Sequence, residues 1–277
     1  MYFSVIIPTC DRTDLLDTCL SLLQLQELAV DYEVIVSDDS NTNSTRLLIN
    51  NKYPYVNWIQ GPQHGPAANR NKGASIAKGK WLVFLDDDVK PDTNLLIAYS
   101  AAINAHPNIS AFEGAIYPDD WKLLKLDMAE CPINTTGGCF WSANICIKKS
   151  FFEQIGMFDD SFKIAAQEDQ EIYNRIKDIS LIIFVSDAKV VHPVRIASVL
   201  DKLNRLPRSL NSWIFFYKKR HSWVEVFKEA YKSQLIALAN AIGKKFIKTS
   251  FIHLITLLIL FPSITLSAYK FKSNSKI

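Results

Sequence analysis

The sequence predicts an α/β protein with a mostly parallel central sheet, followed by a separate, basic, helical segment. Three observations carry this reading. Short apolar runs rich in β-branched residues alternate with longer stretches of helical periodicity, the pattern of strands joined by crossover helices. Polar or acidic clusters follow three of those runs, at the strand ends where open α/β sheets bind ligands. Charge also divides near residue 200: the first part carries 17 Lys/Arg against 25 Asp/Glu, for −8, and the remainder carries 14 against three, for +11. A chain of 277 residues, 48% hydrophobic, is long enough for one large domain with an appended segment.

The first strand covers residues 3–8, and its helix covers 13–25 with Leu16, Leu20 and Leu23 on the buried stripe. A second strand, 32–37, ends in Asp38-Asp39-Ser40 and leads through a polar turn to a helix over 44–51. An extended piece at 56–59, a loop from Gly61 to Gly65 and a helix over 67–77 precede the strand 80–85, which ends in Asp86-Asp87-Asp88. Further elements are a helix over 91–106, a strand over 109–116, a Gly137-Gly138 turn, a strand over 140–147, helices over 149–155 and 167–177, and a strand over 181–186. Residues 1–200 form one domain and 201–277 the appended segment.

Five cysteines, odd in number and without a CxxC pair, point to neither a disulfide framework nor a zinc site and read as reduced, cytosolic residues. The opening Met-Tyr-Phe-Ser-Val-Ile-Ile-Pro runs directly into a strand without the pattern of a signal peptide, so the expectation is that the first domain stays on the cytoplasmic side.

Three carboxylates at the end of a buried strand are costly unless solvated, hydrogen-bonded or neutralised by a cation. Mg²⁺ or Mn²⁺ would bridge such groups to the phosphates of a nucleotide, and the alternative is an acidic turn that caps the next helix. The surrounding residues narrow the choice. The stretch from Arg70-Asn71-Lys72-Gly73 through Ala77, Gly79, Phe84 and Leu85 to Asp86-Asp87-Asp88 resembles the central block of family-two glycosyltransferases, which have the Rossmann-like A-type glycosyltransferase fold. Ser4 to Thr9 and Asp38-Asp39-Ser40 also fall where that family puts its nucleotide-binding segments, and the resemblance covers about residues 1–195.

The resemblance implies a nucleotide-binding half to about residue 116 and an acceptor half over 117–200. Asp86 and Asp88 then form the DxD pair, with Asp88 the first choice as direct ligand of Mn²⁺ or Mg²⁺. Pro8, Thr9, Asp11, Arg12, Asp87 and either Asp39 or Asp38 would contact the nucleotide sugar, and Arg70 and Asn71 would lie near the diphosphate or sugar. Asp38-Asp39 as a plain turn and Arg70 as a solvated helix residue are the competing readings. The chain departs from the family in having Cys10-Asp11 where an aromatic residue and Asn often follow Pro-Thr, so a UDP-sugar is only the default donor; Ser40 replaces the usual Gly.

Inverting transfer needs a base opposite the leaving diphosphate, supplied from another part of the chain. Glu168-Asp169 resembles the family's EDxxL-like motif, with Asp169 first and Glu168 second, although acids in a helix's first turn also simply favour its dipole. Gly137 and Gly138 let the backbone approach the donor sugar or form a plain turn, and Trp141 serves an acceptor platform or the core. His192 follows an apolar strand as a structural histidine or, as the resemblance implies, a third metal ligand.

From Phe227 an amphipathic basic pattern runs to Phe246, and residues 251–269 carry no charge but are interrupted by His253, Pro262 and several hydroxyls. A peripheral or monotopic anchor on the cytoplasmic face of an anionic membrane is the first reading, a single span the second and a soluble hairpin the third. The apolar run argues against nucleic acid. Functionally, the sequence points to transfer of a sugar from a nucleoside-diphosphate sugar to a glycan or lipid-linked acceptor in cell-surface polysaccharide synthesis. The alternatives are a sugar nucleotidyltransferase, whose basic loop after the first strand is poor here, and a non-catalytic nucleotide-sugar-binding protein.

Overall fold

In the computed structural model, residues 2–26 and 31–274 are described, with side chains through residue 268. The chain forms two compact units: Met1–Asp119 with Pro132–Pro193, and Asp120–Cys131 with Val194–Ile277. The second unit therefore takes in a stretch that a linear division at residue 200 assigns to the first domain.

In the first unit, β1 (Phe3–Thr9), α1 (Thr13–Leu23), β2 (Tyr32–Asp38), α2 (Ser44–Lys52), β3 (Val56–Gln60), α3 (Pro66–Ile76) and β4 (Trp81–Leu85) follow the expected alternation. They continue into β5 (Lys90–Pro91), α4 (Leu95–Ala105) and β6 (Ala111–Pro118). The strand order is β3-β2-β1-β4 across this half, and all of these pairs are parallel. Every residue of β1 is buried, and its side chains alternate between two cores. Phe3, Val5 and Ile7 join Leu16, Leu20 and Leu23 of α1, and Ile6 joins Ala74 of α3. Gly73 permits the second contact, because a Cβ there would stand 2.6 Å from Ile6 Cγ2. This glycine of the motif thus serves packing.

After residue 132 come β8 (Asn144–Lys148), α5 (Lys149–Gln154), α6 (Glu168–Lys177) and β9 (Ile183–His192). β8 lies antiparallel between β4 and β6, β9 is parallel to β6, and β5 closes that edge antiparallel to β9. Several boundaries differ from the sequence reading, among them the strand expected over 181–186, which runs Ile183–His192 because it pairs with β6 and β5 along that length, and two more have a local cause. The helix expected from Pro91 begins at Leu95, because Lys90 and Pro91 pair with β9 and the Asp92 carboxylate accepts the N–H of Asn94 in a turn. The strand expected from Phe140 begins at Asn144, because the N–H groups of residues 138–140 point to a side chain, and Phe140 takes a positive φ of 48°.

The second unit contains a short 3₁₀ turn at Leu123–Lys125, β7 (Ala129–Glu130) paired antiparallel with β10 (Arg195–Ile196), and three helices. These are α7 (Val199–Lys218), α8 (Trp223–Gly243) and α9 (Ile247–Asn274). The first was not read from the sequence, where Pro207 and basic residues mask its pattern. Capping boxes Ser198/Asp201 and Ser222/Glu225 start α7 and α8, and Asp127 accepts the N–H groups of Lys248 and Thr249 at the start of α9. Leu210, Ile214, Val226, Ala230, Leu260 and Ile264 form the core of this unit. Residues 247–268 are long and apolar enough, at mean hydropathy 2.0, to cross a membrane by length and composition. The lysines at 270 and 272 that flank this run lie beyond the described side chains.

Candidate active site

Because β1, β2 and β4 run parallel and in register, their carboxyl ends bring Thr9, Asp38-Asp39 and Asp86 to Asp88 to one edge of the sheet. A cavity of about 510 Å³ opens there, lined by Pro8, Thr9, Cys10, Arg12 and Asp39 from the first two strand ends, and by Asn69, Arg70, Asp86 and Asp87 from α3 and the β4 end. Its size is that of a small-molecule site.

The three acids of the triplet point to different partners. Asp87 is turned towards β1, accepting from Thr9 Oγ1 at 2.8 Å and from Arg12 at 2.6 Å. Burial pushes its carboxyl up to about 6 even though Arg12 pulls the other way. Asp86 accepts from Arg70 at 2.7 Å. Asp88 lies 3.3 Å from His192 Nε2 and 3.4 Å from Arg12. Asp86, Asp88 and His192 each offer one ligand atom, and those atoms lie within 4.8 Å of one another. Two carboxylate oxygens and an imidazole nitrogen fit Mn²⁺, and the carboxylates also suit Mg²⁺.

Arg70 is 3% exposed and holds two acids at once: Asp86, and Glu168 at 3.0 Å. It therefore joins the end of β4 to the first turn of α6. Beside it, Asp169 is 8% exposed and accepts the N–H of Gln170 at 2.8 Å. Burial, with the neighbouring charge of Glu168 adding to it, pushes the Asp169 carboxyl up to about 7, and burial also raises Glu168 against the pull of Arg70. A carboxylate poised near neutrality is suited to accept a proton.

Of the second-strand pair, Asp38 is buried and occupied by the N–H of Ser40 and Trp58 Nε1, whereas Asp39 faces the cavity and accepts the N–H of Gln63. Asp11 is exposed, its N–H held by Ser40 Oγ, and Cys10 lines the cavity beside it. Asn71 faces the other way: its amide exchanges two hydrogen bonds with the Phe158 backbone. The N–H groups of Gly137 and Gly138 go to Asn134 Oδ1 and Glu113 Oε1. Trp141 packs against the core of the first unit.

Sequence reasoning missed Glu113. Its buried carboxylate accepts the N–H groups of Gly138, Cys139 and Phe140 at 2.6, 3.1 and 2.7 Å, and Asn134 Nδ2 at 2.9 Å. Cys139 O in turn accepts Gln170 Nε2 at 2.7 Å, so the loop braces the residue next to Asp169. A single acid within the apolar strand 109–116 was the available signal. Asn69, next to Arg70, was also missed; its side chain is buried at the cavity wall, with Nδ2 on Thr9 O.

Residues 4–170 match the sequence profile of glycosyl transferase family 2. The chain belongs to this family. Over 93 residues the glycosyltransferase is 38% identical to the GalNAc(5)-diNAcBac-PP-undecaprenol beta-1,3-glucosyltransferase of Campylobacter jejuni, covering 31% of this chain and 29% of that one. Over 214 residues it is 26% identical to validoxylamine A glucosyltransferase of Streptomyces hygroscopicus subsp. jinggangensis, covering 62% and 50%. The matched regions thus span half or less of these relatives' lengths. Among solved structures, S. aureus TarS 1-349 superposes with a TM-score of 0.60 at 17% identity, covering 91% of this chain and 90% of that one. The mannosyltransferase PcManGT of Pyrobaculum calidifontis, in complex with GDP-Man and Mn²⁺, gives 0.57 at 17%, covering 98% and 75%. The enzyme has the A-type glycosyltransferase fold that its motifs implied.

Proposed function

We propose that this glycosyltransferase moves a sugar from a nucleoside-diphosphate sugar, a UDP-sugar by default, to a hydroxyl of a glycan or lipid-linked acceptor, with inversion and with Mn²⁺ or Mg²⁺. The observation that carries the reading is the Arg70 bridge between Asp86 and Glu168, which supports a single site built from the β4 end and the start of α6. The donor class is supported by neighbours of the same fold in complex with UDP-GlcNAc and with GDP-Man and Mn²⁺. The acceptor class is supported by relatives named for undecaprenol-linked and poly(ribitol-phosphate) glucosyl transfer.

In this reading Asp86, Asp88 and His192 hold the cation, which when bound neutralises charge on the departing diphosphate. Arg12 and Thr9 keep Asp87 turned towards β1, leaving its neighbours for the cation. Asp39, which lines the cavity, accepts from the nucleobase. Asp169 removes the proton of the acceptor hydroxyl; Glu168, engaged by Arg70, sets the charge around it and is the less suited base. Work at the cytoplasmic face of a membrane, in cell-surface polysaccharide synthesis, fits the apolar α9 and a lipid-linked acceptor.

The test is release of nucleoside diphosphate from a panel of donors with and without Mn²⁺. Turnover of at least one donor, lost in Asp88→Asn, is expected. Release of pyrophosphate instead, or unchanged turnover in Asp88→Asn, would overturn the proposal.

A further inference from the structure

We infer that α9 lies in the plane of an anionic bilayer, with one uncharged face among the lipids and the opposite face retained in the helical core of the second unit. The inference deepens the membrane reading above and rests on it, but not on any catalytic role.

The outward residues of α9 are Ile247, Phe251, Leu254, Leu258 and Phe261, exposed by 80, 49, 50, 78 and 59%. Their spacing of four, three, four and three draws one line along a helix. That line is about 21 Å long at the α-helical rise. On the other side Ile252, Thr256, Leu260 and Ile264 are buried, the last two with Leu210, Ile214, Val226 and Ala230. No Asp, Glu, Lys or Arg occurs between Lys248 and Lys270. Five large apolar side chains in an unbroken exposed row form a patch that marks an interaction surface.

A spanning orientation conflicts with the helix beside it. Phe227 of α8 meets Phe261 edge-on at 5.9 Å, and Tyr231 OH donates to Leu257 O at 3.4 Å. Lys228 and Lys232, each next to one of these residues in α8, are therefore level with the middle of the apolar run. If α9 crossed the bilayer with its packing intact, these lysines and Glu229 would enter the hydrocarbon, which is strongly unfavourable. With α9 in the plane, only its outward line enters, and the lysines remain in water.

Charge identifies the occupant. Lys244, Lys245 and Lys248 lie within three residues of the start of α9 in the sequence, and the chain beyond residue 200 is +11. Anionic headgroups attract this surface, whereas a second copy of the chain would bring the same basic charge against it.

The experiment is co-flotation of the full chain with preformed phosphatidylcholine vesicles, with or without about 30% phosphatidylglycerol. Its partner is the quadruple variant Phe251→Ser, Leu254→Ser, Leu258→Ser, Phe261→Ser. Wild type is expected to float with the anionic vesicles, and the variant to bind at least about tenfold more weakly. Unchanged thermal melting would show that the variant is folded. A C-terminal epitope tag should remain open to protease added outside the vesicles. Protection of the tag would show a span and overturn the inference. Absence of vesicle binding, or a dimer in sedimentation that the quadruple variant abolishes, would overturn it as well. Nucleoside-diphosphate release measured in parallel separates this outcome from failure of the catalytic proposal.

Discussion

Replacing Asp169 with Asn keeps the shape of the side chain and its ability to accept the Gln170 N–H, while removing the charge. Burial raises this carboxyl from an ordinary 3.8 to about 7, so the folded protein binds its proton more tightly than the unfolded chain does. The sign follows: this group's unfavourable contribution is absent below about pH 4, grows as pH rises towards 7, and is constant above it. At 1.36 kcal/mol per tenfold change, the full interval amounts to about 4 kcal/mol. Asp169→Asn removes that buried charge and also relieves its repulsion of Glu168, so a gain on the order of 2 kcal/mol or more is expected at alkaline pH. For a chain of this size that corresponds to a Tm higher by roughly 5 °C at about pH 8.5, shrinking at about pH 5. Turnover should fall by about 10²- to 10⁴-fold, the range of a lost general base. Scanning calorimetry at the two pH values and a nucleoside-diphosphate release assay measure both effects. Equal Tm differences at the two pH values, or turnover within tenfold of wild type, would refute the reasoning.

Wild-type turnover should decline as pH drops through about 7, as Asp169 takes up its proton, and this limb should be missing from the residual activity of Asp169→Asn. Arg70→Met leaves Asp86 and buried Glu168 without their shared cation; a loss of about 3–5 kcal/mol in urea unfolding is expected. His192→Ala should weaken Mn²⁺ activation, read as a higher metal concentration at half-maximal turnover, with folding retained by circular dichroism. Glu113→Gln sets an amide donor against either the Gly138 N–H or the N–H groups of Cys139 and Phe140, and a loss of about 2–3 kcal/mol with reduced turnover is expected. Gly73→Ala forces a methyl against Ile6 and should cost about 1–3 kcal/mol, visible as a lower Tm without a change in metal dependence.

The parallel half of the sheet was legible because β1, β2 and β4 are buried on both faces and read as continuous apolar runs. Their acidic ends were legible because charge directly after such a run is rare without a reason. Which way each acid turns was not. Asp38 and Asp39 are adjacent and chemically identical, and only the presence of Trp58 Nε1 behind one and the cavity before the other separates them. Asn71 carries a motif position yet binds the Phe158 backbone, 87 residues away, a contact that no local pattern encodes. The Gly137-Gly138 pair read equally as backbone open to a donor sugar and as a plain turn; the Gly137 N–H goes to Asn134, and those of residues 138–140 converge on Glu113, contributed by a distant strand. Short strands β5, β7 and β10 escaped for a related reason: two residues have no periodicity, and their pairing is set wholly by partners elsewhere in the chain.

The interleaving of the two units has a practical consequence for dissecting the protein. Residues 120–131 leave the sheet domain, pair through β7 with β10 and then return, so the C-terminal unit is stitched to the chain at two places. Glu130 meets Lys202 and Arg205 there, and Asp127 caps α9. A chain cut after residue 193 would keep this segment while losing every one of those partners, exposing an unpaired strand edge and two carboxylates arranged for a helix bundle that is gone. Poor behaviour of such a fragment would report the broken stitch before it reported anything about membranes or sugars, and point substitutions on the surface of α9 are the cleaner instrument.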